Sequence, residues 1–294
     1  MKYQKTLGSR AFDIFNILFM ILMVFICVYP FYYVITCSMS DSNFLVGDRG
    51  FMLLPKGFSM AAYEAVLKNP NIYTGYKSTM FVLICGTALN ILFTSMGAFL
   101  VTRTKFFLAK PMMIMMIFTM YFGGGMIPTY LLVGRTLGLR DSLWSLILPT
   151  AISTYNLIIM KTQFLSIPAS LEESAKLDGA NEILILFRII LPLSLPTIAV
   201  MVLFYGVAHW NAWFSALLYI DSREKYPLQL VLREILLLNS MDDMMVGERG
   251  SNRAAVSESI KYATIIVATL PILLVYPFIQ KYFVKGVMVG AVKG

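Results

Sequence analysis

The residue types that could do chemistry are few in this chain, and their arrangement carries most of the information. From Glu172 to Pro196 the sequence reads EESAKLDGANEILILFRIILPLSLP, with two adjacent carboxylates, an Asp-Gly turn and two prolines set between apolar runs. Bond-making chemistry has little to work with here. A single histidine, His209, excludes histidine-based metal or catalytic clusters. Cys27, Cys37 and Cys85 are odd in number, form no CxxC pair and lie in or beside apolar runs, so they read as packing residues. No GxxxxGK[ST] loop exists to cradle nucleotide phosphates. The role left open to the Glu172–Pro196 stretch is recognition, through charge and shape offered to another surface.

The same residues imply local structure. Pro168 lacks a backbone N–H and disfavours helix in the residue before it, so it separates the charged stretch from the preceding apolar run. Ser170 and Glu173 fit a capping box, and Glu172 and Glu173 sit where the helix dipole favours negative charge. Asp178-Gly179 is a strong turn signal, after which Asn181 can cap a second short helix carrying Ile183, Leu184, Leu186, Phe187 and Ile189. Leu191-Pro192 then starts the next apolar run, with Pro196 tolerated in its first turns. Two short helices bent at a glycine could fit a groove on another protein. They could equally be an interfacial link between two spans.

The surroundings are a membrane. The chain is 294 residues, 58% hydrophobic and 14% charged, with a mean hydropathy of +0.74; soluble domains carry about 25% charged residues. Apolar runs near 13–38, 77–101, 111–133, 142–162, 194–219 and 260–282 each match the ~20 residues that a helix needs to cross a bilayer. The short alternating segments of a β-barrel are absent from the sequence. The first run is too long for a signal-peptide core and reads as a retained span. The formal charge of +8 lies mostly at span ends and in loops, as juxtamembrane anchors rather than a nucleic-acid surface. Basic residues divide evenly between the two sides, so charge alone leaves the orientation open. Within the loop 39–76, Ser59 is placed to cap a short amphipathic helix through Leu67, and the loop 220–259 is long, polar and mixed in charge.

No Asp, Glu, Lys or Arg falls at the middle of a span, which argues against a proton-coupled secondary transporter. His209, Trp210, Asn211 and Trp213 do fall inside the fifth span. Rings beside hydrogen-bonding groups suit a sugar pathway, and interhelical packing explains the same residues equally well. Gly123-Gly124-Gly125 permits a break or close approach in the third span, with a kink at Pro128 nearby.

The spacing of the charged stretch resembles a known family. Glu173-Ser174-Ala175, three residues, Gly179, nine residues and then Ile189-x-Leu191-Pro192 is similar to the EAA-x3-G-x9-I-x-LP loop of ABC importer membrane subunits, with Ser174 for the first alanine. Glu172-Glu173 with Asp178-Gly179-Ala180 resembles the sugar-importing, maltose-type branch. Gly124 to Tyr130 (GGMIPTY), His209 to Trp213 (HWNAW) and Tyr226 to Gln229 (YPLQ) resemble permeases for oligosaccharides. The resemblance implies an all-α membrane protein with six transmembrane helices, the type I ABC importer permease fold. It implies an N-terminus (1–12) and a tail (284–294) in the cytoplasm of a bacterial cell. A first span at 13–38, an extracytoplasmic loop at 39–76 and a permease core at 77–283 complete the layout. In the family the EAA loop, here 163–193, is the coupling helix that docks on a cytoplasmic ABC ATPase dimer, which binds ATP and Mg in place of this chain. That role carries over to Glu172, Glu173, Ser174, Ala175, Asp178, Gly179, Ala180, Ile189, Leu191 and Pro192. Tyr130, His209, Trp210, Asn211 and Trp213 would line a sugar pathway. A second homologous permease and an extracytoplasmic solute-binding protein would complete the machine, embedded in membrane lipid. This chain itself would catalyse nothing. A non-sugar cargo, or an ion-coupled transporter, is the alternative.

Overall fold

The computed structural model describes residues 7–45, 52–103, 106–245, 258–275 and 277. The expected tail at 284–294, the end of the sixth span and the Gly247–Arg249 segment lie outside these residues. The chain divides into two compact units, one holding residues up to Asn69 with Glu234–Leu270, the other holding Pro70–Arg233 and the residues from Pro271 onward.

In the first unit, α1 (Leu7–Ser38) is long and apolar enough to cross a bilayer, and its apolar residues are exposed. That is the pattern expected of a helix whose solvent is lipid. Its end packs with α2 (Ser42–Leu45) around Cys37, Leu45 and Met52, with Tyr33 edge-on to Tyr262 at 6.0 Å. Met60, not the expected Ser59, stands at the cap position of α3 (Ala61–Lys68) with no side-chain cap, and Ser59, one residue earlier, accepts the Ala61 N–H through its hydroxyl at 3.3 Å.

The second unit is organised by α4 (Pro70–Thr102), which starts on a proline whose missing N–H is no loss at a first turn. A stripe of Gly75, Thr79, Val82, Gly86, Asn90, Thr94 and Ala98 is buried at helical spacing. Small residues let helix backbones approach closely where no hydrophobic effect drives them together. Against this stripe pack α7 (Thr154–Leu165) and α11 (Leu195–Trp210).

The remaining spans are bent. α5 (Ala109–Tyr121) meets α6 (Met126–Leu131) at 116°, across the glycine run, where Gly125 takes φ 86°. Two 3-10 turns, Leu143–Leu146 and Leu148–Thr150, meet α7 at 50°, and the Ser153 hydroxyl caps α7 by accepting the Asn156 N–H. α8 (Ala169–Leu177) is followed by α9 (Glu182–Ile185), a π turn (Leu186–Ile190) and α10 (Leu191–Leu193), which meets α11 at 86°. α12 (Trp213–Tyr219) and α13 (Leu228–Met245) come next, then α14 (Glu258–Val275). Among the described residues, three helices are long and apolar enough to span a membrane, or six spans result when each bent pair counts as one. No strand is present among them.

Candidate functional site

The spacing of the EAA-type stretch has a local physical basis. α8 does not start with the expected Ser170 cap. Pro168 stands at the cap position, its carbonyl accepts the Leu171 N–H at 3.2 Å, and no side chain caps the helix. The proline, with its fixed φ, starts the helix two residues early and leaves Ser170 inside the first turn. The far end agrees with the sequence. Gly179 takes φ 82°, its N–H donates to Lys176 O at 3.1 Å, and the Ala180 N–H donates to Ala175 O at 2.9 Å. This pair of bonds is the Schellman closure, which calls for a left-handed residue at Gly179 and favours an apolar contact between Ala175 and Ala180. Both alanines pack against the core of Ala98, Phe99, Leu157 and Ile190. Asn181 caps α9 as expected, its Oδ1 accepting the Leu184 N–H at 2.8 Å.

The ten residues of the stretch therefore divide by role. Ala175, Ala180, Ile189 and Leu191 pack inward. Glu173, Ser174, Asp178, Gly179 and Pro192 are exposed, and Leu177 beside them is 89% exposed. Glu172 belongs to neither group. It is held by Arg103, at the end of α4, which in the sequence looks like one more basic residue in a short loop. Arg103 Nη1 bonds Glu172 Oε2, Nη2 donates to Glu172 Oε1 at 3.0 Å, and the guanidinium lies 3.8 Å over the Phe99 ring. Glu182, from the second limb of the loop, approaches Arg103 Nε at 3.9 Å and pairs with Lys176 at 2.6 Å. One arginine thus ties both limbs of an exposed element to the longest helix of the unit.

The family model for the binding-protein-dependent transport system inner membrane component matches residues 76–289. The chain belongs to this family. It is similar to the permease protein YtcP of a polygalacturonan/rhamnogalacturonan transport system of Bacillus subtilis (strain 168), 45% identical with 97% of this chain and 99% of that protein covered. Protein LplC of the same organism is 44% identical, with 98% and 97% covered. Among solved structures, a chain of a bacterial ABC transporter involved in the import of the acidic polysaccharide alginate superposes with a TM-score of 0.86 at 29% identity, covering 95% of this chain and 99% of that one. Family and superposition together establish the all-α permease fold and a membrane location.

Within this permease the expected pathway residues do not form one group. His209 is 6% exposed, and its Nε2 meets Asn90 Oδ1 at 2.6 Å. The Asn90 amide donates to Thr150 O at 2.6 Å, so its oxygen accepts and the His209 proton sits on Nε2. Tyr205 extends the polar seam, its hydroxyl accepting the Ser153 N–H at 3.1 Å and lying 2.6 Å from Thr94 Oγ1. His209 is therefore an interhelical fastener. Trp210 is buried beside an apolar recess of about 580 Å³ lined also by Met80, Ile84, Val207 and Pro271. That lining is almost wholly apolar. Tyr130 stacks on Tyr219 at 5.9 Å. Asn211 and Trp213 alone are exposed, at the break between α11 and α12.

At the other end of the unit, two connections are clasped. Asp141, with φ 55°, accepts from the Ser222 N–H at 2.8 Å, the Ser222 hydroxyl at 2.6 Å and Lys225 Nζ at 2.7 Å, while Arg140 pairs with Asp221 at 2.8 Å. The Lys225 ammonium and the Ser222 donors hold the Asp141 carboxyl well below the usual carboxylate range. A depressed value means that the clasp contributes fully above the ordinary carboxylate range and is lost as pH falls from there through the depressed one. The melting temperature of purified Asp141→Asn is expected to sit below wild type by a constant interval from neutral pH down to about pH 4, narrowing below it. An interval that persists unchanged in acid would show that the carboxylate charge is not what holds the clasp.

Proposed function

We propose that this chain is one permease subunit of an importer that moves an oligosaccharide across the bacterial cell membrane by alternating access, driven by a separate ABC ATPase dimer. One observation carries the reading. α8 and Gly179 present Glu173, Ser174, Asp178 and the nearly bare Leu177 outside the apolar spans, while Arg103, Ala175 and Ala180 hold that element on the helix bundle. An exposed, partly apolar helix on a rigid base is shaped to enter a cleft of a second protein. In this reading residues 163–193 face the cytoplasm with both termini, and the clasped 134–141 and 220–225 connections face a solute-binding protein. ATP and Mg sit in the partner, a second homologous permease completes the pathway, and motion of the docked α8 swings the spans. The carbohydrate cargo is supported by the transport systems to which the relatives belong.

Proteoliposomes holding this chain with its permease and ATPase partners test the reading. Uptake of labelled oligosaccharide is expected to need ATP and the solute-binding protein and to ignore collapse of ion gradients. Gly179→Pro is expected to abolish it, because proline cannot adopt φ 82°. Uptake that follows an ion gradient without the ATPase overturns the proposal. A solute-binding protein that takes peptides and no glycan replaces the cargo.

A further inference from the structure

The fifth span breaks at Asn211 and Ala212, and the break leaves Asn211 and Trp213 exposed. Irregular backbone at membrane depth is tolerated where it is buried in protein or lines a water-filled cavity. Asn211 is polar and exposed on this chain, which fits a place on such a cavity. Its amide donates to Val207 O at 2.9 Å, which leaves its side-chain oxygen as an open acceptor.

Over the Trp213 indole lies the Arg233 guanidinium, 4.4 Å from the ring centroid. Arg233 is not a drifting surface cation. The first turn of α13 is fixed to α4, with the Leu228 N–H donating to Thr79 Oγ1 at 2.8 Å. At Gly75 an added Cβ would meet the Leu228 backbone at 3.1 Å, so the two elements are in close contact there. Stacking on an indole covers the face of a guanidinium and leaves its N–H donors pointing outward in the plane, where a carboxylate can take two of them at once. Arg103 and Arg140 each spend that fork on a carboxylate of this chain. Among the described residues none lies within ion-pair distance of Arg233.

We propose that Arg233, Trp213 and Asn211 form a binding subsite for a carboxylate-bearing sugar ring, so that the cargo is an acidic oligosaccharide. The inference rests on the carbohydrate reading above and adds the substrate class. The carboxylate takes the Arg233 fork, and a neighbouring sugar hydroxyl donates to Asn211 Oδ1. A neutral ring of the same shape leaves the guanidinium without its anion and binds more weakly.

Trp213 can report its own occupancy. The chain has three tryptophans, so Trp144→Phe with Trp210→Phe leaves Trp213 alone in the full chain held in lipid nanodiscs. Trigalacturonate is expected to change its emission saturably, and the methyl ester to bind about tenfold more weakly or worse. Arg233→Gln should bring the acid down to the level of the ester, and Arg233→Lys, which keeps the charge without the fork, should fall between. An equal response to acid and ester overturns the proposal, as does an Arg233→Gln chain that binds like its parent. ATP-driven uptake by the assembled transporter separates the two layers. Uptake of neutral oligosaccharides with a silent Trp213 removes the subsite and leaves the carbohydrate reading, whereas no oligosaccharide uptake removes both.

Discussion

Arg103→Ala is expected to reduce ATP-driven uptake by about tenfold or more while the chain still reaches the membrane and the ATPase still turns over. The reason lies in the groups that Arg103 holds. Its fork carries both oxygens of Glu172, its Nε faces Glu182, and the pair is shielded, with side chains 21% and 17% exposed for Arg103 and Glu172. Removing the cation takes away the guanidinium that both oxygens of Glu172 bond, while Glu182 keeps its pair with Lys176. Losing a charge-assisted bond of this kind costs about 2 kcal/mol, which shifts the population of the held geometry by a factor of about thirty. In the proposed mechanism uptake needs α8 to move with α4, whereas ATP hydrolysis in the partner does not. Loss of coupling should therefore show as hydrolysis without transport. Arg103→Lys restores charge but not the planar fork and should recover only part of the uptake. The swapped pair Arg103→Glu with Glu172→Arg should recover more than either single change. Wild-type uptake by Arg103→Ala would mean that α8 is held by its alanines alone.

How far the sequence reaches differs from residue to residue, for physical reasons. Gly179, Ala175 and Ala180 are legible because a Schellman closure is local and its demands fall on neighbouring positions. Asn181 is legible for the same reason. Ser170 misleads because two N-terminal signals compete, and the fixed φ of Pro168 prevails over a side-chain cap. The glycine run announces the bend at Gly125, but the bend at Ser194 comes between two prolines of a kind that helix starts tolerate. The role of Arg103 is hidden because its partner Glu172 is 69 residues away. A usable signal exists in an arginine placed directly at a span end, with surplus carboxylates in the next loop on the same side. Asn90 is hidden likewise. Two polar side chains at membrane depth in separate spans, Asn90 and His209, are each costly alone and satisfied as a pair.

That pair makes the second large prediction, which concerns Gly86. It lies one turn before Asn90 on the buried stripe of α4, and an added Cβ would sit 2.5 Å from His209 Nε2 and 2.8 Å from its Cε1. The imidazole cannot swing aside, because it is 6% exposed and tied to Asn90, which is itself tied to Thr150 O. Gly86→Ala must then displace α11 or break the hydrogen bond. Overpacking costs about 1 to 3 kcal/mol, and an orphaned buried polar group about as much again. The gain in helix propensity of alanine over glycine, about 1 kcal/mol, does not offset the sum. Gly86→Ala is therefore expected to lower the melting temperature of the purified chain and its yield in the membrane. His209→Ala alone should also destabilise, since it strands Asn90 Oδ1. The two changes together should cost clearly less than the sum of the singles, because the methyl then occupies space that the ring has left. Strict additivity would mean that the ring and the glycine do not meet, and would remove His209 from its role as the fastener between α4 and α11.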